Sequence, residues 1–156
     1  PTDCYATGTT VNRGSFADTP VPVKDGTASD GATNHIACRI VDAGDDRFTV
    51  DAALSADDRV LFAIKGTFPA TSDVNGFKAD RVTISNGAVA PDYAAFTQGD
   101  GQCSVLYLGE RQSALAGRVW AQVTCPNAVK DPDNGGSANG SCVTITEFRF
   151  ENCAIE

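Results

Sequence analysis

The chain has 156 residues, 42% of them hydrophobic and 21% charged, with a formal net charge of -8. That length fits a single domain over residues 1–156, and the charge argues against nucleic acid, whose phosphates need a basic footprint. It also argues against a polybasic lipid-docking patch, and no apolar run is long enough for a transmembrane segment.

Residue usage points to an all-β fold. Thr, Val and Ile together number 35, whereas Leu, Glu and Met number nine. Branching at Cβ suits a pleated surface and costs rotamer freedom in a helix. Sixteen of the 20 acids are Asp, a turn former.

Taken in order, residues 1–34 read as an irregular segment rich in Thr, Gly, Asp and Pro. Ile36, Cys38 and Ile40 alternate as a short strand, and residues 42–46 form a turn. Phe48, Val50, Ala52 and Leu54 then alternate against polar residues, and Val60, Phe62, Ile64 and Phe68 continue the period as the second arm of a hairpin. Asn75-Gly76 signals a tight turn before a strand over 77–85. Residues 88–101 read as a loop with one helical turn. Strands follow over 103–108 and 117–125, then a polar loop over 130–141, then a last strand from Cys142 to Glu151. In that last strand Val143 and Ile145 mark one parity and Phe148 and Phe150 the other. A period of two cannot change parity without a bulge or a change of sheet, so one is expected at Thr146-Glu147. Seven to nine short strands with frequent turns predict an antiparallel β-sandwich, with a closed barrel as the alternative.

Six cysteines and no C-x-x-C spacing point to disulfides, hence to export into an oxidising compartment: extracellular, periplasmic or on the outer cell surface. Cys142 and Cys153 bound one strand and would lie ~36 Å apart, beyond disulfide reach. Cys125 has two competing partners, Cys142 across the polar loop and Cys103 across the preceding hairpin. Closing the loop at its base favours Cys125–Cys142. Cys4–Cys38 and Cys103–Cys153 are the pairs expected for the others, the latter requiring the last strand to bend or change sheet at Thr146-Glu147. The chain opens on Pro1 with no signal peptide, so it reads as a mature or trimmed export product.

Candidate chemistry is sparse. His35 is the sole imidazole, and no G-x-S-x-G elbow accompanies it. Asp51 and Glu147 are the acids within well-patterned strands, but a general acid must be buried to hold its proton. Acidic turns are candidates for a structural Ca²⁺: Asp42, Asp45 and Asp46, Asp25 and Asp30, and Asp131 and Asp133 with Asn134. The last set opens like an EF-hand loop but has Gly135 at position five and Cys142 at position twelve, so the match fails. Asn139-Gly140-Ser141 is a glycosylation sequon. Tyr5, Tyr93, Phe96 and Trp120 are candidates for a sugar-stacking platform, though a mid-strand Trp120 is expected to fill the core.

The stretch Gly117-Arg-Val-Trp-Ala-Gln-Val-Thr-Cys125, with Ser141-Cys142 and Phe148-Arg-Phe-Glu-Asn-Cys153, resembles the end of small exported β-sandwich domains. Such domains occur in predicted surface lipoproteins of myxobacteria and related bacteria. The likeness spans residues 102–153, and Cys4 and Cys38 fall outside it. It implies a signal peptide and a lipid anchor upstream of Pro1. The expectation is a non-enzymatic binding or structural module, such as an adhesin-like domain or a subunit of an extracellular assembly, needing no cofactor. Its partner would be a protein, a surface glycan or further copies of itself. A Ca²⁺-assisted carbohydrate-binding sandwich is the alternative, and a carboxylate-based hydrolase a lower one.

Overall fold

The computed structural model describes residues 2–3, 10–14, 26–27, 33–56, 59–71, 76–85, 95–130 and 141–156. Among these there is no helix. The strands are β1 (Thr2–Asp3), β2 (Thr10–Gly14), β3 (Gly26–Thr27), β4 (Thr33–Gly44), β5 (Arg47–Ala56), β6 (Arg59–Pro69) and β7 (Phe77–Ala79). They continue as β8 (Arg81–Ser85), β9 (Ala95–Gln98), β10 (Cys103–Leu106), β11 (Ser113–Leu115), β12 (Arg118–Lys130) and β13 (Ser141–Phe150). The fold is the expected antiparallel β-sandwich, and the barrel alternative is ruled out because the sheet does not close on itself.

One layer is the run β4-β5-β6-β8, and the other is built on β13, β12, β10 and β7. Strand β9 bonds to both β8 and β12 and carries the chain between them. This strand lies where a loop with a helical turn was expected. The expected strand over 77–85 is in fact two. It breaks at Asp80, whose N–H donates to the Lys65 carbonyl at 2.8 Å. Before the break β7 pairs with β10, and after it β8 pairs with β6, so the chain changes layer there. Gly66 makes room for this crossing: a Cβ there would lie 2.7 Å from Cε1 of Phe68 and 3.3 Å from the Ala79 Cα.

The hairpin of β4 and β5 turns on Asp45 and Asp46, both at φ 54°. Paired positive φ values match the right-handed twist of the flanking strands. Alternation then buries Phe48, Val50, Ala52 and Leu54 on β5 and Phe62, Ile64 and Phe68 on β6. Facing them across the sandwich, β13 buries Phe148 and Phe150. The Phe62 ring lies 5.3 Å from Phe148 and 6.2 Å from Phe150, between centroids.

The parity change expected at Thr146-Glu147 does not occur. Cys142, Thr144, Thr146, Phe148 and Phe150 all face the core. Thr is shaped like Val, and the Thr144 and Thr146 hydroxyls lie 3.2 Å apart in hydrogen-bond contact, so both tolerate burial. A register shift occurs instead on the neighbouring strand, between Cys125 and Ala128 of β12. Pro126 sits there, in one of the few sheet settings that tolerate it.

The segment before residue 35, expected to be irregular, contributes three short strands among its described residues. Strands β1 and β2 pair parallel to β13, and β3 pairs with β4. Main-chain pairing at an edge needs no apolar alternation, which is why the sequence pattern did not announce it.

The three expected cysteine pairings are overturned. Cys103 bonds to Cys125 with Cα atoms 4.3 Å apart, because the register Ser104↔Thr124 sets the two opposite each other. Cys38 bonds to Cys153 at a Cα separation of 4.9 Å. After β13 the chain turns at Asn152 (φ 57°) and runs beside β4. The Ile40 N–H donates to the Ala154 carbonyl at 2.8 Å and the Ala154 N–H to the Cys38 carbonyl at 3.0 Å. Cys142 is also disulfide-bonded, so neither Cys125–Cys142 nor Cys103–Cys153 forms, and Cys38 is not the partner of Cys4. The exclusion of Cys142–Cys153 holds. Cys4 lies outside the described residues.

Candidate functional site

Alternation along β12 sends Val119, Ala121 and Val123 into the core and Trp120 to the opposite, outer face. Trp120 is half-buried there, not part of the core as expected. Its neighbours explain why. The register sets Trp120 beside Arg149 of β13 and Ser113 of β11. The Arg149 guanidinium carbon stands 4.5 Å from the ring centroid, a cation–π contact. The indole N–H donates to Oε1 of Glu147 at 2.8 Å, and the Gln112 amide donates to the same oxygen at 3.4 Å. A core site would have to supply that donor with a partner.

Each of these partners is itself held. The Gln112 side-chain carbonyl accepts from the Leu108 N–H at 2.6 Å, which fixes the loop between β10 and β11. Arg149 donates through Nε to Oε1 of Glu151 at 2.9 Å, and its other guanidinium nitrogen lies 2.7 Å from the same oxygen. The indole is thus clamped by Glu147 and Arg149 of β13, with Gln112 of the β10–β11 loop bracing Glu147.

Beside it lies an open groove of about 540 Å³. Glu110 and Arg111 of the β10–β11 loop form one wall, and Arg118 and Trp120 of β12 the other. The guanidinium groups of Arg111 and Arg118 are exposed and make no ion pair or hydrogen bond among the described residues. A second groove of about 420 Å³ meets the first at Arg118 and passes Gly117 and Ile155. Gly117 has φ 81°, and a Cβ there would lie 3.2 Å from the Cys153 carbonyl oxygen, so glycine lets the tail pack close. The Gly117 N–H donates to the Ile40 carbonyl at 3.1 Å, pinning the turn from which Arg118 projects.

The other candidates are scattered. Asp45 and Asp46 form the β4–β5 turn, and Asp42 accepts the Gly44 N–H at 2.7 Å, so these acids build the turn itself. Asp25, Asp30, Asp131, Asp133 and Asn134 lie outside the described residues, as do Tyr5, Tyr93 and Asn139 and Gly140 of the sequon. Phe96 is half-buried against the core and not beside Trp120. His35 is exposed on β4, paired in register with Ser55. Asp51 lies on the outer face of one layer, 3.8 Å from the Lys65 ammonium, and Glu147 on the outer face of the other. The whole sandwich separates these two carboxylates. Among the described residues no group of three or more His, Cys, Asp or Glu is gathered as a metal site.

Sequence reasoning passed over Arg111, Arg118 and Arg149. One signal was present: Arg118 and Trp120 share strand parity, so they had to share a face. No protein-family model, curated protein or solved structure matches this chain.

Proposed function

We propose that this protein is a non-catalytic module of the cell envelope or extracellular space that binds a surface saccharide on the outer face of β12 and β13. The observation that carries this reading is Trp120, displayed on that face and clamped by Arg149, Glu147 and Gln112. A rigid aromatic with a fixed polar edge offers contact area at low entropic cost. Disulfides are consistent with an exported location. The likeness of residues 102–153 to surface lipoprotein domains fits the same setting. The non-catalytic part rests on the engagement of Glu147 by Trp120 and Gln112 and of Glu151 by Arg149, which leaves Glu110 alone among the described groove carboxylates, whereas a glycosidase needs two carboxyl groups flanking one bond.

An array of neutral and acidic glycans probed with the oxidised protein tests this. Retention of a defined glycan class by the protein, and its loss in Trp120→Ala, is the expected result. Binding that survives the substitution overturns the placement of the site. Mass spectrometry of bound glycans after long incubation should show unchanged chain lengths; shortened products overturn the non-catalytic reading.

A further inference from the structure

We propose that the ligand of the Trp120 groove is an acidic saccharide, a uronate-bearing chain whose ring lies against the indole and whose carboxylate is held by Arg118 and Arg111. This rests on the saccharide-binding reading above.

The molecule carries a net charge of -8, yet three of its eight arginines line this one groove. The carboxylates beside them are largely engaged. Glu147 accepts from the indole and from Gln112, and Glu151 holds Arg149. That leaves Arg111 and Arg118 as donors without acceptors among the described residues, with Glu110 as the remaining rim carboxylate. Two unmatched guanidinium forks call for a planar anion, which a carboxylate supplies in bidentate fashion. Among the described lining residues every cation is an arginine, so those cations are all of the planar kind.

Glu110 and Ser113 argue for a ligand with hydroxyl groups as well as charge. A carboxylate on the rim repels a bare polyanion but accepts from a sugar hydroxyl. Arg149 stands over part of the indole, and the part of Trp120 that lines the groove is the apolar surface offered to the C–H groups of a pyranose. The volume of about 540 Å³ lies within the usual span of ligand clefts. The second groove shares Arg118, which gives a chain ligand a direction in which to continue.

The test uses oligogalacturonates and their carboxyl-reduced counterparts, which keep the backbone and linkage and lose only the acid. Trp120 is the sole tryptophan, so its fluorescence reports on this face alone, and calorimetry checks the affinity. The expected result is that the acidic oligomer binds and the reduced one binds about tenfold or more weakly. Arg118→Ala and Arg111→Ala should each weaken the acidic oligomer by a similar factor, with an unchanged melting temperature. Arg118→Lys should recover little, because the fork is lost. If acidic and reduced oligomers bind alike, the uronate assignment is overturned and the saccharide-binding reading stands. If a sulfated oligosaccharide binds and the uronate does not, the carboxylate assignment is likewise overturned. If no saccharide of any kind binds, both proposals fall.

Discussion

Tyr107 shows how one buried side chain ties the fold to pH. It follows β10, is 7% exposed, and donates its hydroxyl proton to the Pro69 carbonyl at 2.6 Å. Its ring packs 5.1 Å from that of Phe77. Burial pushes the phenol well above its ordinary value of 10.0, because the phenolate would lose its water. The folded state therefore keeps a proton that the unfolded chain releases near pH 10. The stability this contributes is fully present below that pH. It is lost as pH rises toward the folded value, at about 1.4 kcal/mol per pH unit for one proton. Urea unfolding of the wild type and Tyr107→Phe between pH 7 and 11 checks the sign. The variant should be less stable by about 1 kcal/mol at pH 7, since the Pro69 carbonyl loses its donor. It should also show a shallower alkaline decline. Equal slopes in the two proteins would contradict the account.

At the scale of elements, the sequence pattern announced strands reliably where one face is apolar and the other wet. The β4–β5–β6 meander is of this kind, and its turn acids sit where the Asp cluster placed them. The pattern misled where side chains of mixed character face the core. Thr144 and Thr146 broke the apparent period of β13, although hydroxyl pairing lets them stay inside. It was silent where pairing is made by main chain alone, as in β1 and β2. For the site, the alternation of Arg118 and Trp120 was legible. The approach of Arg111, Gln112 and Arg149 was not, because a loop fold and an inter-strand register bring them there. The same limit governed the cysteines. Registers decide which pair, and the C-terminal tail crosses to β4 after an unforeseen turn at Asn152. Peptide mapping without reduction should recover Cys38–Cys153 and Cys103–Cys125. With four cysteines so assigned and Cys142 bonded, Cys4 is the expected partner in a third crosslinked peptide. Removing Cys38–Cys153 should cost more than removing Cys103–Cys125, because the sequence separations are 115 and 22. The chain-entropy relation gives about 5 against about 3 kcal/mol. Denaturant titration of the two double Cys→Ala variants measures the difference, and a larger loss for the shorter loop would refute the ranking.

On the scale of the whole molecule, the inner contact that joins the layers is physically separate from the outer face proposed as the site. The inner contact is aromatic: Phe62 and Phe68 of β6 meet Phe148 of β13, and Phe62 also meets Phe150. These rings are all fully buried. Emptying one of them leaves a cavity between layers that strands cross-linked at Cys38–Cys153 and Cys103–Cys125 cannot readily close. The site residues stand on the far side of the same strands. Their contacts are a cation–π pair and hydrogen bonds at partly exposed positions, each of modest worth. Phe62→Ala should therefore cost about 3–5 kcal/mol and lower the melting temperature by roughly 10 °C. Trp120→Ala should cost less, about 2 kcal/mol, from the indole hydrogen bond, the Arg149 contact and the covered half of the ring. Thermal unfolding followed by far-UV circular dichroism compares the two without relying on the tryptophan signal. A Trp120→Ala loss as large as that of Phe62→Ala would mean that the indole is a structural strut. The outer face would then owe its order to stability, and the case for a ligand there would lose its main support.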